Sequence, residues 1–258
     1  MDILITNDDG INAPGLIALI DEAKRLGNVI AVAPHQERSA IGHGITFFHP
    51  LRMHRVVREK HCQIYSSTGT PTDCILLGLT HLMKKKRPDI IITGINRGPN
   101  IGDDITYSGT VSSAMEGALR GIPSMAVSVG EFQDPRYDTA AVIALRLVPL
   151  VLSYGLPPRT LLNVNVPSVE LDDIKGIAIT RQGRSSYVQS FLKRRDPRGH
   201  DYFWFNYSNP SGNKEKGTDF DALSRNYVSV TPLQLDLTCH ATMGSLKEWD
   251  LPRILKES

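Results

Sequence analysis

The sequence predicts an α/β protein built on a Rossmann-like, doubly wound and mostly parallel sheet that carries a C-terminal β-hairpin extension. Short apolar runs alternate with segments of helical periodicity over the first two thirds of the chain, a pattern that gives parallel strands joined by crossover helices. Polar, glycine-bearing turns close the apolar runs. From about residue 175 the character changes to alternating, aromatic-rich segments such as YFWFN and YVSVTPLQLDL, with turn-forming stretches such as NPSGNKEKG between them, and these read as hairpins projecting from the main body. The expected organisation is one unit over residues 1–258, with a core over about 1–175 and hairpins and a tail over about 176–258.

The elements follow in order. Residues 2–6, DILIT, form a short buried strand stopped by Asn7-Asp8-Asp9-Gly10. Leu16, Ile17, Leu19, Ile20, Ala23 and Leu26 then recur at helical spacing. Pro14 suits the first helical position, where its missing N–H costs nothing, and Gly27 suits the stop. NVIAVAP is a strand, a polar loop runs through 34–47, and a strand near CQIYSST precedes a helix beginning near Pro71. DIIITGIN is another strand, and Val111, Ala114, Met115, Ala118 and Leu119 mark a helix over 110–120. IPSMAVSV is a further buried strand, and 138–153 a further helix.

Composition narrows the function. With 41% hydrophobic and 22% charged residues the chain is an ordinary globular protein, and disorder is excluded. A formal charge of +2 gives no field that would recruit a nucleic acid or a membrane as main partner. Cys62, Cys74 and Cys239 are few, odd in number and without metal-ligand spacing, which points to reduced thiols rather than a disulfide framework or structural zinc. No basic stretch followed by an apolar signal region opens the chain, and no apolar run approaches a membrane span, so a cytoplasmic location is expected.

In an open parallel sheet, ligands bind outside the carboxyl ends of the strands. Asp8 and Asp9 stand at such an end, and two adjacent carboxylates there repel each other unless a cation or a proton compensates them. Mg²⁺ or Mn²⁺ prefers oxygen ligands and suits two carboxylates supplemented by neutral oxygens such as those of Ser39 and Asn96. A turn built from Asp and Gly is the plainer reading of the same residues. Ser108, Gly109 and Thr110 precede an apolar helix and would present N–H groups and hydroxyls to an anion, although simple capping accounts for them too. The run from Gly94 to Gly102 matches neither the dinucleotide-binding glycine pattern nor a P-loop, and no nucleophile elbow is present. His35 and His43 lack metal-ligand spacing, and Lys84 to Arg87 reads as a helix-end charge cap.

Four segments in one order, ILITNDDG with NAPG, the AP-x-x-x-R-S-A stretch holding Ser39, TGTPTDC at 68–74 and GINRGPNIGDDITYSGTVSSAMEG at 94–117, resemble the SurE (survival protein E) family of 5'- and 3'-nucleotidases. RRDPRG at 194–199 and SVTPLQLDLT at 229–238 extend the resemblance over nearly the whole chain. It implies one Mg²⁺ or Mn²⁺ per subunit, held by Asp8, Asp9, Ser39 and Asn96, and a phosphate seat at Ser108, Gly109 and Thr110. Asn12, Gly42 and Asn100 are implied as substrate neighbours, and Arg194, Arg195 and Arg198 as a border of the substrate entrance. It also implies a homodimer or homotetramer. Water attack on phosphorus, with Asp8 or Asp9 as base, is the expected chemistry, and an aspartyl-phosphate route stays open. Two other classes stay in view: a nucleotide-binding regulator that does not turn its ligand over, and an oligomeric scaffold.

Overall fold

Nine strands make one mixed sheet in the computed structural model, which describes residues 1–186, 190–206, 211–212, 215–249 and 251–255. In chain order, β1 (Asp2–Thr6), α1 (Pro14–Ala23), β2 (Asn28–Pro34), β3 (Met53–Arg58), β4 (Cys62–Ser67) and α2 (Pro71–Leu77) form the first half. Next come β5 (Ile90–Asn96), α3 (Gly109–Leu119), β6 (Ser124–Val129), α4 (Tyr137–Tyr154), β7 (Thr160–Val166) and β8 (Gly176–Ile179). Short β9 (Ser185–Ser186), hairpin strands β10 (Ser190–Arg195) and β11 (Asp201–Asn206), β12 (Ser211–Gly212), α5 (Asp219–Ser224), β13 (Tyr227–Gln234) and α6 (His240–Leu246) complete the chain. Part of the NPSGNKEKG stretch lies outside the described residues.

The sheet runs β3-β4-β2-β1-β5-β6-β7-β13-β8. From β4 to β7 all neighbours are parallel, and β3 and β13 pair antiparallel at the two ends of that block. The central strands read as continuous apolar runs because both faces are covered. Ile3, Leu4, Ile5, Ile90, Ile91 and Ile92 have no exposed surface, and each such side chain contributes about 1.5–3 kcal/mol through burial. α1 and α4 pack on one face in a single cluster with β1, β5 and β6, and α2 and α3 cover the other. Helix starts follow the sequence: α1 opens on Pro14, and Thr70 with Asp73 closes a reciprocal capping box on α2. β2 pairs on one side of β1 and β5 on the other, so chain order reverses at β1. The crevice at their carboxyl ends is where such sheets bind ligands.

Two expectations need correction. α4 spans 18 residues with a mean hydropathy of 1.3, long and apolar enough to cross a membrane by length and composition. Its Ala140, Ala141, Ala144 and Val148 are fully buried in the core cluster, so its apolar side serves the sheet. Of the hairpins expected beyond residue 175, β10 and β11 form one, but Tyr227–Gln234 does not project. It is an inner strand, seated between β7 and β8, with Val228, Ser229, Val230 and Thr231 buried. Val228 and Val230 are covered within the chain, and a neighbouring subunit is not needed for that. Strands β3 and β7 also carry no sequence signal recognised above.

Truncation tests the placement of β13. A chain ending at Leu235 should keep a cooperative melt by circular dichroism, whereas one ending at Asn226 should lose it, because β7 and β8 are left without their shared partner. Equal melts for the two would show that the strand is dispensable.

Candidate active site

The turn after β1 forms the floor. Asn7 is fully buried, and its Nδ2 donates to the Gly10 carbonyl at 2.9 Å, closing the turn on itself. Gly10 adopts φ +100°, and a Cβ there would stand 3.2 Å from the Gln36 backbone. The Arg38 N–H donates to the Asp8 carbonyl at 2.7 Å and the Ile11 N–H to the Pro34 carbonyl at 2.8 Å. These bonds strap the loop after β2 to the turn and place Glu37 and Ser39 beside the aspartates.

Asp8 is only 3% exposed. The Thr110 hydroxyl donates to its Oδ1, and the helix start is packed so close that a Cβ on Gly109 would lie 2.8 Å from Asp8 Cβ and 2.9 Å from Oδ2. Only glycine fits there. Thr93 on β5 donates to the Thr110 carbonyl at 2.7 Å, so Thr110 joins the ends of β1 and β5 to the first turn of α3. Asp9, less buried, accepts the Arg97 N–H on Oδ2 at 3.1 Å. Burial, the neighbouring Asp8 charge and Glu37 push the Asp9 carboxyl up to about 7, with the Arg97 N–H opposing them. Burial also pushes Asp8 up, against the hydrogen bonds it receives from Thr110.

These residues border a pocket of about 450 Å³. Of the residues anticipated from sequence, Asp8, Asp9, Ser39, Asn96, Asn100 and Ser108 line it. Asn96 donates Nδ2 to the Gly98 carbonyl at 2.8 Å, which leaves Oδ1 as its ligating end. The exposed Ser39 hydroxyl donates to Glu37 at 2.7 Å. Ser108 caps α3 by accepting the Val111 N–H at 3.0 Å, so its own O–H remains the group it can offer.

Other residues sit differently from the expectation. Thr110 is buried with its hydroxyl committed to Asp8 rather than presented to the pocket. Asn12 is exposed outside the lining. Gly42 acts through its backbone, donating to the Tyr107 carbonyl at 2.9 Å and accepting from Ser112 at 2.8 Å. Asn100 is a buried anchor: its Nδ2 donates to Ser128 at 2.7 Å, its N–H donates to Asn165 at 2.8 Å, and its carbonyl accepts from Asn163 and Asn165. His35 and His43 contact the Ser67 carbonyl and Glu116 instead of the pocket. The hairpin arginines do not line it either, and Arg195 pairs with Asp201.

Sequence reasoning missed Glu37, Arg97, Asp104, Tyr107, Phe132 and Tyr137 as pocket residues. Glu37 and Arg97 stood inside the polar strand-end loops already singled out, whereas nothing in the sequence ties Phe132 or Tyr137 to the aspartates. Asp219 was missed too. Its buried carboxylate accepts the N–H groups of Gly102, Gly183 and Phe220, each at 2.9 Å, and Gln182 donates to the Gly102 carbonyl at 2.8 Å. Together they fix the loop that leads from Asn100 toward Ser108.

A family model described as survival protein SurE matches residues 3–189. The chain belongs to the SurE family. The protein named 5'-nucleotidase SurE from Geobacter metallireducens is 47% identical over 251 residues, covering 97% of this chain and 98% of that one. Its namesake from Aquifex aeolicus is 43% identical over 244 residues, covering 95% and 96%. The crystal structure of the SurE protein from Aquifex aeolicus superimposes with a TM-score of 0.85 at 42% identity, covering 96% of this chain and 99% of that one. The α/β architecture is therefore shared with a solved SurE structure.

The pair of desolvated carboxylates carries a stability cost with a definite sign. Asp9 titrates at about 7 in the folded chain against 3.8 in the absence of structure. At about pH 8 both states are ionised and folding bears the full penalty; at about pH 4 it has largely gone. Asp9→Asn keeps the acceptor for Arg97, so it should raise the Tm of chelator-treated protein at pH 8, with the gain shrinking toward zero as pH falls to 4. A gain independent of pH would show that the Asp9 charge is not the source.

Proposed function

We propose that this chain is a divalent-metal-dependent nucleotidase, a phosphomonoesterase that hydrolyses nucleoside 5'- and 3'-monophosphates to nucleoside and phosphate. The observation that carries the reading is the desolvated Asp8–Asp9 pair at the topological switch point, beside the start of α3. Relatives named 5'-nucleotidase that align over nearly their whole length support it. The donor set fits a hard cation. Glu37 adds a third negative charge to the pair, and the other donors are neutral oxygens. Mg²⁺ or Mn²⁺ would rest on two carboxylates and two neutral oxygens, those of Asp8, Asp9, Ser39 and Asn96, one ion per subunit; among the described residues no group of three or more His, Cys, Asp or Glu could hold an ion. When bound, such an ion supplies positive charge to phosphoryl oxygens and lowers the pKa of water.

The chain's own groups then divide the work. Asp8, immobilised by Thr110, holds its oxygens in a fixed place for ligation. Asp9, nearer the pocket mouth, is the carboxylate suited to take a proton from the attacking water. The Ser108 hydroxyl and the N–H groups at the start of α3 receive phosphoryl oxygens. Tyr107 and Phe132, part-exposed rings on the lining, offer faces to the nucleoside that leaves. A cytoplasmic location belongs to the same reading and rests on three free cysteines, two of them buried.

Assembly as a homodimer or homotetramer is supported by the β10–β11 hairpin. Phe191, Phe203 and Phe205 stand on one face and Leu192, Tyr202 and Trp204 on the other, all more than 40% exposed. A two-stranded ribbon is marginal alone, and a second copy would cover both faces.

Phosphate release from AMP should stop in excess chelator and return with Mg²⁺ or Mn²⁺; full turnover in chelator would exclude the metal. A nucleotide-binding regulator would bind AMP without releasing phosphate under any of these conditions. Thr110→Val removes the bond that orients Asp8, so it should raise the metal concentration needed for half-maximal rate and lower kcat/KM about 10- to 100-fold. Unchanged metal demand would place that hydroxyl on substrate instead. Light scattering should report a dimer or larger, and Leu192→Glu with Trp204→Glu should shift it toward monomer with the far-UV spectrum retained; monomer in the parent would remove the assembly proposal.

A further inference from the structure

Arg97 stands in an unusual electrostatic position. It follows Asn96 at the end of β5, and its backbone N–H is held on Asp9 Oδ2. On its other side Gly98 takes φ +93°, with the Phe132 ring so close that any Cβ there would lie 2.2 Å from it. The backbone at residue 97 is thereby fixed beside the carboxylate while the side chain stays exposed on the pocket. Four carboxylates line that pocket, those of Asp8, Asp9, Glu37 and Asp104, and Arg97 is the one lysine or arginine on the lining among the described residues.

Despite this company its guanidinium makes no ion pair or hydrogen bond with any described residue. Arg120 pairs with Glu116, Arg136 with Asp138 and Glu170, and Arg225 with Asp221, whereas Arg97 shares its lack of a side-chain partner with Arg52, Arg55, Arg58 and Arg146, none of which lines the pocket. Only the Arg97 backbone is spent on Asp9, and the planar fork of donors is left for something that enters the pocket.

The charge balance says what enters. A divalent ion offsets the Asp8–Asp9 pair and no more, yet a phosphomonoester brings up to two further negative charges toward Glu37. We propose that the Arg97 guanidinium is a catalytic group of this site, pairing with non-bridging phosphoryl oxygens as they are seated near Asp9 and the start of α3. A bidentate fork matches two such oxygens, and it strengthens where charge spreads over them during in-line attack. The inference rests on the phosphomonoesterase reading above.

The test uses full-length Arg97→Ala and Arg97→Lys at saturating Mn²⁺, with AMP turnover, calorimetric binding of inorganic phosphate, and Mn²⁺ affinity measured separately. Arg97→Ala should lower kcat/KM about 10- to 100-fold and weaken phosphate binding at least tenfold, with Mn²⁺ affinity unchanged. Arg97→Lys should recover only part, and added guanidinium ion should restore part of the Ala variant's rate, which a merely structural role would not allow. Parent-like kcat/KM and phosphate affinity in Arg97→Ala overturn the proposal, as does a loss that tracks weaker Mn²⁺ binding. Should the parent protein turn over no monophosphate while phosphate binding still depends on Arg97, the nucleotidase reading fails and the anion role of Arg97 stands.

Discussion

A carboxylate withdrawn from water under the first turn of a helix is the constraint on which the rest of this molecule depends. Asp8 has almost no exposed surface, and its charge has to be compensated locally. Thr110 supplies part of that compensation, and it can do so only because Gly109 lets α3 approach to contact and Thr93 ties the same turn to β5. Three elements far apart in sequence thus converge on one side chain. The remaining deficit falls on the neighbouring carboxyl, Asp9, which is driven toward the neutral form in the absence of a cation. A desolvated carboxylate pair of this kind is destabilising to the fold and would be relieved by a group that brings positive charge.

The outer wall of the pocket is held by buried hydrogen bonds to backbone groups and asparagine side chains. Asn100 links its loop to Ser128 on β6 and to Asn163 and Asn165 on β7, using side chain and backbone together. Asp219 does the same from the C-terminal third by accepting three backbone N–H groups. Each buried N–H left without an acceptor would cost about 1–3 kcal/mol, so these residues hold the wall in one arrangement without touching the aspartates.

Legibility in the sequence followed the range of the interaction. Asp8, Asp9, Asn96 and Ser39 could be picked out because strand ends and polar turns are local signals, and helices at Pro14, Pro71 and Gly109 started where proline, caps and periodicity placed them. The task of Thr110 was hidden, because its partner lies 102 residues away. β7 escaped notice because Asn163 and Asn165 interrupt its apolar run, and those asparagines serve the site. The alternating pattern and the turn-forming stretches around it made Tyr227–Gln234 look like a projecting strand. In the fold Pro232 lies beyond Val230, the last residue paired to β8, so its missing N–H faces no neighbour on that side.

The inner position of β13 also bears on how the protein is made. A ribosome delivers residues 1–166 first, complete with the parallel block and every side chain of the aspartate floor, yet β7 then stands as a raw edge of unpaired N–H and C=O groups. That edge is closed only when residues 227–234, the last strand synthesised, have left the exit tunnel. The nascent chain therefore passes through a stage in which the half that carries the aspartate pocket is assembled but open to pairing with another chain, and protection of that edge falls to chaperones or to the speed of translation.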